Sequence, residues 1–217
     1  QDQPEVLEKW RAFIEISMSH CGEIYSDLNV TLRSKDTFGE SQYKGTIPSI
    51  LETLREEGLL TESNGALCVF LDEFTDKNGE KQAVIVQKSD GGYLYATTDL
   101  AAIRHRAHEL EADRILYFVD ARQTLHFKQI FALARKAGLC TPNLALGHIS
   151  NGAILNKAGK PFKTRDGNTV KLADLIKESR ERAKKIFLAK NAKVETPNVE
   201  EIASTIGIAS IRYSELS

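Results

Sequence analysis

The chain has 217 residues, 41% of them apolar, which is enough for one large domain or two small ones around a substantial core. Its 29 Lys and Arg balance 30 Asp and Glu to a formal charge of −1, so no global field draws it onto nucleic acid or an anionic membrane, and any basic site must be local. Cys21, Cys68 and Cys140 are odd in number, widely spaced and outside any C-x-x-C pattern, which argues against a disulfide framework and a structural zinc site and for a reducing cytosol. No apolar run approaches the roughly 18 residues of a membrane span, and the opening "QDQPEVLEKW" has no signal-peptide character. The expectation is a soluble, cytoplasmic protein with no membrane partner. Because it begins at Gln1 and stops at "SIRYSELS" without a helix cap, the chain reads as a piece of a longer protein.

Residues 4–24 carry Val6, Trp10, Phe13, Ile14 and Ile16 at near-helical spacing, and "NVTLRS" at 29–34 alternates as a short strand would. The segment 36–45 is polar and turn-rich. Residues 47–60 then read as a helix with Ile50, Leu51, Leu54 and Leu59 near one face and Gly58 as its stop. "ALCVFLDE" at 66–73 and "QAVIVQKS" at 82–89, joined through an Asn-Gly turn, predict an antiparallel pair. From residue 93 strands and helices alternate. "GYLYA" leads into a helix with Leu100, Ile103, Ala107 and Leu110 on one stripe. "RILYFVD" at 114–120 follows, then the helix "TLHFKQIFALARKAG" closed by Gly138, then a strand within 143–150. This texture predicts a parallel sheet covered on both faces. Leu172, Leu175, Ile176, Ala183, Ile186 and Phe187 give one face of a trailing helix, and Asn198 with Glu201 suggests the cap of a last one.

Ligands of such sheets bind beyond the carboxyl ends of the strands, which selects 95–99, 120–126 and 147–165. In "GGYLYATTDLAAIR" Thr97 or Thr98 can cap the helix, and Tyr95 and Asp99 sit four residues apart at the seam. Asp99 is there either as an anion welcome near a helix start or, with Tyr95, as a clasp for a guanidinium. At the second place Asp120, Gln123 and His126 follow one another within a strand-to-helix junction, either as a polar loop or as hydrogen-bonding groups for a polar substrate. At the third, Lys157, Lys160, Lys163 and Arg165 lie among Gly159, Pro161 and Gly167, either as a solvated basic loop or as a polyphosphate grip. Neither G-x-x-x-x-G-K-[ST] nor G-x-G-x-x-G is present, no Ser-His-Asp arrangement suggests hydrolysis, and the five histidines show no metal-ligand spacing.

Taken in order, Gly39-Glu40-Ser41 with Tyr43, "ESNGA" at 62–66, "QKSDGGYLYATTDLA" at 87–101, "VDARQTLHFKQ" at 119–129 and "KPFKTRDGNTVKLADL" at 160–175 resemble the arginyl-tRNA synthetases, class I aminoacyl-tRNA synthetases. The resemblance runs through nearly the whole chain, and it implies the C-terminal half of a class I Rossmann-type parallel sheet, an α/β fold with a helical and antiparallel insertion and trailing helices. Residues 1–92 would form the insertion region, 93–168 the second half of the nucleotide-binding fold and 169–217 the trailing helices. Carried over residue by residue, it places arginine against Tyr95, Asp99 and Gln123, and the phosphates of ATP against Lys160, Lys163, Thr164 and Arg165, where class I enzymes have the KMSKS signature. Lys163 is the first choice for neutralising pyrophosphate, and His126 and His148 fall in the nucleotide site. ATP would come with Mg2+ as substrate, with no permanently bound cofactor, and arginine and tRNA(Arg) would complete the partners. The implied reaction is ATP-dependent activation of arginine and its transfer to tRNA.

Three departures stand out. The H-x-G-H signature and the helical anticodon-binding domain are both outside these residues, and Pro161 and Phe162 interrupt the KMSKS counterpart. The isolated piece is therefore expected to be inactive, and its half-sheet to have an edge open to self-association. Two other readings remain open: a non-catalytic arginine- or nucleotide-binding module related to the synthetases, and an unrelated nucleotide-binding α/β protein.

Overall fold

The computed structural model describes residues 3–151, 171–191 and 198–216. They fall into two compact units, Gln1–Thr37 with Leu155–Ser217, and Phe38–Ile154.

In the first unit α1 runs Pro4–Asp27, with proline where the backbone N–H would be unpaired anyway. None of its residues is buried, and Trp10, Phe13 and Ile14 stand exposed. The expected strand at 29–34 does not form, because its first residues are spent on closing α1. Asn29 turns left-handed at φ 53°, its N–H bonds Ser26 O at 3.1 Å, and Val30 N–H bonds Tyr25 O at 2.8 Å. This is the Schellman closure with Asn in place of Gly. A 3-10 turn follows at Ser34–Asp36, pinned by Arg33 N–H to Asp36 Oδ2 at 2.7 Å.

Helices α5 (Leu172–Lys190) and α6 (Val199–Leu216) are the expected trailing helices. Arg180 of α5 donates to Asp27 Oδ1 of α1 at 2.8 Å. The two trailing helices meet at Gly207, where a Cβ would come within 2.9 Å of the Arg180 backbone, and Ser179 Oγ donates to Gly207 O at 2.9 Å. Gly207→Ala should therefore destabilise despite its better helix propensity, by about 1–2 kcal/mol net of overpacking. Gly22→Ala in α1, where nothing lies within 4 Å, should instead stabilise by about 0.5–1 kcal/mol. Denaturant melts of the two variants with opposite signs are the expected result.

The second unit begins with α2 (Ile47–Glu56), which buries Ile47, Ile50, Leu51 and Leu54. It stops at Gly58 (φ 66°) through Gly58 N–H to Arg55 O and Leu59 N–H to Leu54 O. Three antiparallel strands follow in the order β1-β2-β3: Thr61–Ser63, Ala66–Thr75 and Lys81–Gln87. The predicted β2–β3 pair is present. Strand β1 was missed, although its turn at Asn64-Gly65, both left-handed at φ 53° and 76°, repeats the Asn-Gly signal.

Then come α3 (Tyr95–His108), β4 (Arg114–Asp120), α4 (Thr124–Lys136) and β5 (Ala145–Asn151). Strands β4 and β5 are parallel and in unbroken register from Arg114↔Ala145 to Asp120↔Asn151, with α4 as the crossover. Gly138 (φ 64°) ends α4 as Gly58 ends α2, by N–H to Arg135 O with Leu139 N–H to Ala134 O. One hydrophobic core joins Ile50 and Leu54 of α2, Val69, Leu71 and Val86 of the antiparallel sheet, Leu100 and Ile103 of α3, and Ile130 and Leu133 of α4. The result is the expected α/β architecture, with parallel and antiparallel sheets and helices.

Two expectations need correction. "GYLYA" is not a strand: Tyr93 makes one isolated bridge to Gln87, and Tyr95 already opens α3. Nor is the parallel pair covered on both faces among the described residues. Ile115 and Tyr117 point into the core, while Leu116, Phe118 and Ile149 of the opposite face are exposed.

Candidate functional site where α3 meets α4

The start of α3 is set by a side chain that reading the sequence took for a cap. Leu94 holds the N-cap position and makes no side-chain cap bond. Thr97 is instead wholly buried, and its Oγ1 donates to Val86 O of β3. The β2–β3 register slips between Leu67↔Gln87 and Cys68↔Ile85, leaving Val86 without a cross-strand partner, and Thr97 takes up the carbonyl so released. Thr97→Val keeps the shape and leaves that carbonyl unpaired, so a loss of about 1–3 kcal/mol is expected in urea denaturation. Thr98 is not the cap either; its Oγ1 donates back to Tyr95 O at 2.9 Å.

With α3 so fixed, Tyr95 stands at its first residue, 70% exposed, and Asp99 lies one turn further in. Across from it, His126 sits in the first turn of α4. Its Nε2 lies 2.6 Å from Asp99 Oδ2, with both side chains about three-quarters buried. His126 also meets the Phe127 ring edge-on at 5.1 Å, and His148 of β5 stacks on that ring at 5.0 Å. His148 Nε2 is 2.9 Å from Val119 O, an acceptor only, so that nitrogen carries the hydrogen. The structure thus joins Asp99 to His126, and His126 and His148 to the Phe127 ring. Gln123 is exposed, directly before α4 at the N-cap position, in a 3-10 turn rather than on the strand. Lys160, Lys163, Thr164 and Arg165, with Lys157, lie outside the described residues.

Two neighbouring features escaped the sequence. Arg106 of α3 donates from Nη1 to Tyr117 Oη of β4 at 2.9 Å, a contact between successive elements, eleven residues apart, that no local pattern announces. Burial pushes the Tyr117 phenol up to about 12, with the Arg106 charge working against the rise. Asp120, at the end of β4, accepts two parallel bonds from Arg122, Nε to Oδ1 at 2.9 Å and Nη2 to Oδ2 at 2.8 Å, as well as the Arg122 N–H. These bonds lower its carboxyl to about 2. Because the folded value is depressed, the contact stabilises above the unfolded carboxylate range and is lost as pH falls toward 2. NMR titration of Asp120 should show this low midpoint, and Arg122→Ala should raise it only part of the way toward the ordinary value, because the backbone N–H of residue 122 still donates to Oδ1.

Among the described residues no group of three or more His, Cys, Asp or Glu converges as a metal site would. The Asp99–His126 pair lies at the carboxyl end of β4, since α4 begins directly beyond that strand, and this is where open α/β sheets bind ligands.

The family described as tRNA synthetases class I (R), catalytic domain, matches residues 1–217. The chain belongs to that family. Proteins named arginine–tRNA ligase are similar to it in sequence. That of Hahella chejuensis is 50% identical over 213 residues, 98% of this chain and 37% of the relative, and that of Pseudomonas fluorescens Pf-5 is 51% identical over 214 residues, 99% and 37%. The crystal structure of arginyl-tRNA synthetase from Plasmodium falciparum superposes with a TM-score of 0.83 at 29% identity, covering 99% of this chain and 34% of that one. The Thermus thermophilus arginyl-tRNA synthetase shares the fold at TM-score 0.60 and 19% identity, over 79% of this chain and 33% of that one. This member of the class I synthetase family therefore spans about 37% of the length of the curated relatives it matches. Its β4–α4–β5 unit and the preceding antiparallel sheet are parts of a synthetase catalytic domain.

Proposed function

We propose that the protein carrying these residues is an arginine–tRNA ligase, in which the chain supplies one side of the amino-acid pocket and part of the ATP site. The observation that carries this reading is the partly buried Asp99 carboxylate, held by His126 at the carboxyl end of β4. A guanidinium presents a planar fork that a fixed carboxylate meets with two parallel bonds. Tyr95, one turn before Asp99 on α3, and Gln123, at the head of α4, would orient the rest of the amino acid. Lys160, Lys163, Thr164 and Arg165 would meet the ATP phosphates, with Mg2+ arriving on the nucleotide. His148 would border the nucleotide.

The arginine carboxylate oxygen attacks the α-phosphorus of ATP. The bond to the bridging oxygen breaks, and pyrophosphate leaves with that electron pair. The adenylate's acyl carbon is then attacked by a hydroxyl of the tRNA terminal adenosine, which loses its proton while AMP departs. The residues of this chain form no covalent intermediate; they position the reactants and neutralise charge as it builds on the leaving group. Arginine-dependent exchange of pyrophosphate into ATP by the full-length protein tests this reading. Arginine binding with no exchange would favour a non-catalytic binding module instead, and indifference between arginine and lysine would overturn the pocket.

A further inference from the structure

The Asp99–His126 contact joins two helices across 27 residues of sequence, and it does more than fill space. A carboxylate only accepts, so Nε2 of His126 carries the hydrogen and donates to Oδ2 whatever the charge on the ring. The last torsion of an Asp side chain is soft and broad, so an unheld carboxylate plane turns freely. Asp99 also has a rival attraction inside the protein. Arg106 lies seven residues on along α3, two turns further and about 10 Å along the axis, on the same helix face. The Tyr117 phenol feels both charges, raised by Asp99 and lowered by Arg106, and so does Tyr43. Each charge has its own partner. Arg106 is bonded to Tyr117 Oη, and Asp99 is bonded to His126 from α4.

We propose that His126 is a positioning residue for the amino-acid pocket: its bond to Oδ2 fixes the Asp99 carboxylate plane and leaves Oδ1 and the second lone pair of Oδ2 for the two bonds of the substrate guanidinium. This rests on the arginine-pocket reading above. It also moves the weight of His126 from the nucleotide to the amino acid. Losing the donor leaves the carboxylate plane free to turn, so substrate must fix its orientation on binding. The penalty falls on arginine binding, not on the chemical step.

Pyrophosphate exchange with the full-length protein, varying arginine and ATP separately, tests the assignment with His126→Ala, His126→Gln and Asp99→Asn. His126→Ala should raise the arginine KM about tenfold, on the scale of one hydrogen bond to a charged group, with kcat and the ATP KM changed by less than about twofold. His126→Gln, which keeps an N–H donor at similar reach, should recover most of the arginine KM. If alanine and glutamine variants are equally impaired, donation to Asp99 is not the role of His126 and the proposal falls. It also falls if His126→Ala leaves the arginine KM unchanged or raises the ATP KM instead. Asp99→Asn separates this failure from that of the pocket: an unchanged arginine KM there overturns the arginine-pocket reading itself. Should His126→Ala fail to fold, the glutamine variant decides, because normal arginine affinity supports the proposal and a tenfold loss overturns it.

Discussion

Asp99→Asn in the full-length protein should lower kcat/KM for arginine in pyrophosphate exchange by about a thousand-fold, within the roughly 2–5 kcal/mol lost when one partner of a buried, hydrogen-bonded charge pair is truncated. The size of the effect follows from what is left behind. A guanidinium that has shed its water meets a neutral amide, which offers one acceptor oxygen and turns an N–H2 toward the cation. Asparagine keeps the volume of Asp99, and the surrounding α3 core of Leu100 and Ile103 is untouched, so the melting temperature should stay within a few degrees of the parent. The loss should appear for arginine and not for ATP. A change smaller than about threefold, well under 1 kcal/mol, would remove Asp99 from the pocket.

The second large effect is expected at Lys163. Lys163→Ala should cut kcat for arginine activation about 100- to 1000-fold, the range seen when one preorganised group at a developing charge is removed. As pyrophosphate separates, negative charge grows on its oxygens, and an ammonium placed about 4 Å away would contribute on the order of 4 kcal/mol at an effective dielectric of about 20. That attraction is weaker in the ground state, so the loss should fall on kcat more than on either KM. Lys163→Arg should retain part of the rate, since it preserves the charge but not its compact geometry. Lys160→Ala is the internal comparison. A larger loss there than at Lys163 would transfer the role to Lys160, and no loss at either would remove the basic loop from the chemistry.

Periodicity exposed most of this fold because most of its elements bury one face. Helices α2 and α4 show their apolar stripes and their left-handed glycines at Gly58 and Gly138, and the β2–β3 pair shows its Asn-Gly turn. Errors arose where one local signal served two outcomes. "GYLYA" is rich in aromatic residues and reads as a strand, yet α3 already begins at Tyr95, with Thr97 bonded to Val86. "NVTLRS" alternates, yet Asn29 is taken by the closure of α1. Spacing could suggest Tyr95 with Asp99, because four residues is one helical turn. It could not suggest Asp99 with His126, or Arg106 with Tyr117, since those contacts exist only once helix and strand have packed. The roles of Tyr95, Gln123 and the basic loop rest on resemblance to the family, and kinetics is the measure of them.

The bond from Thr97 to the Val86 carbonyl spans eleven positions of sequence, and it makes that stretch a ruler. Its one end is a displaced residue in the antiparallel sheet, and its other end sets the rotational phase of α3. Each helical residue turns the chain by about 100°, so adding or removing one residue between Val86 and Thr97 with the anchor kept changes only the loop, whereas the same change between Thr97 and Asp99 swings the carboxylate by about that angle, away from α4. Length variation should therefore be tolerated in the turn around Asp90-Gly91-Gly92 and forbidden between Thr97 and Asp99. The sheet is the datum against which the Asp99 carboxylate is aimed.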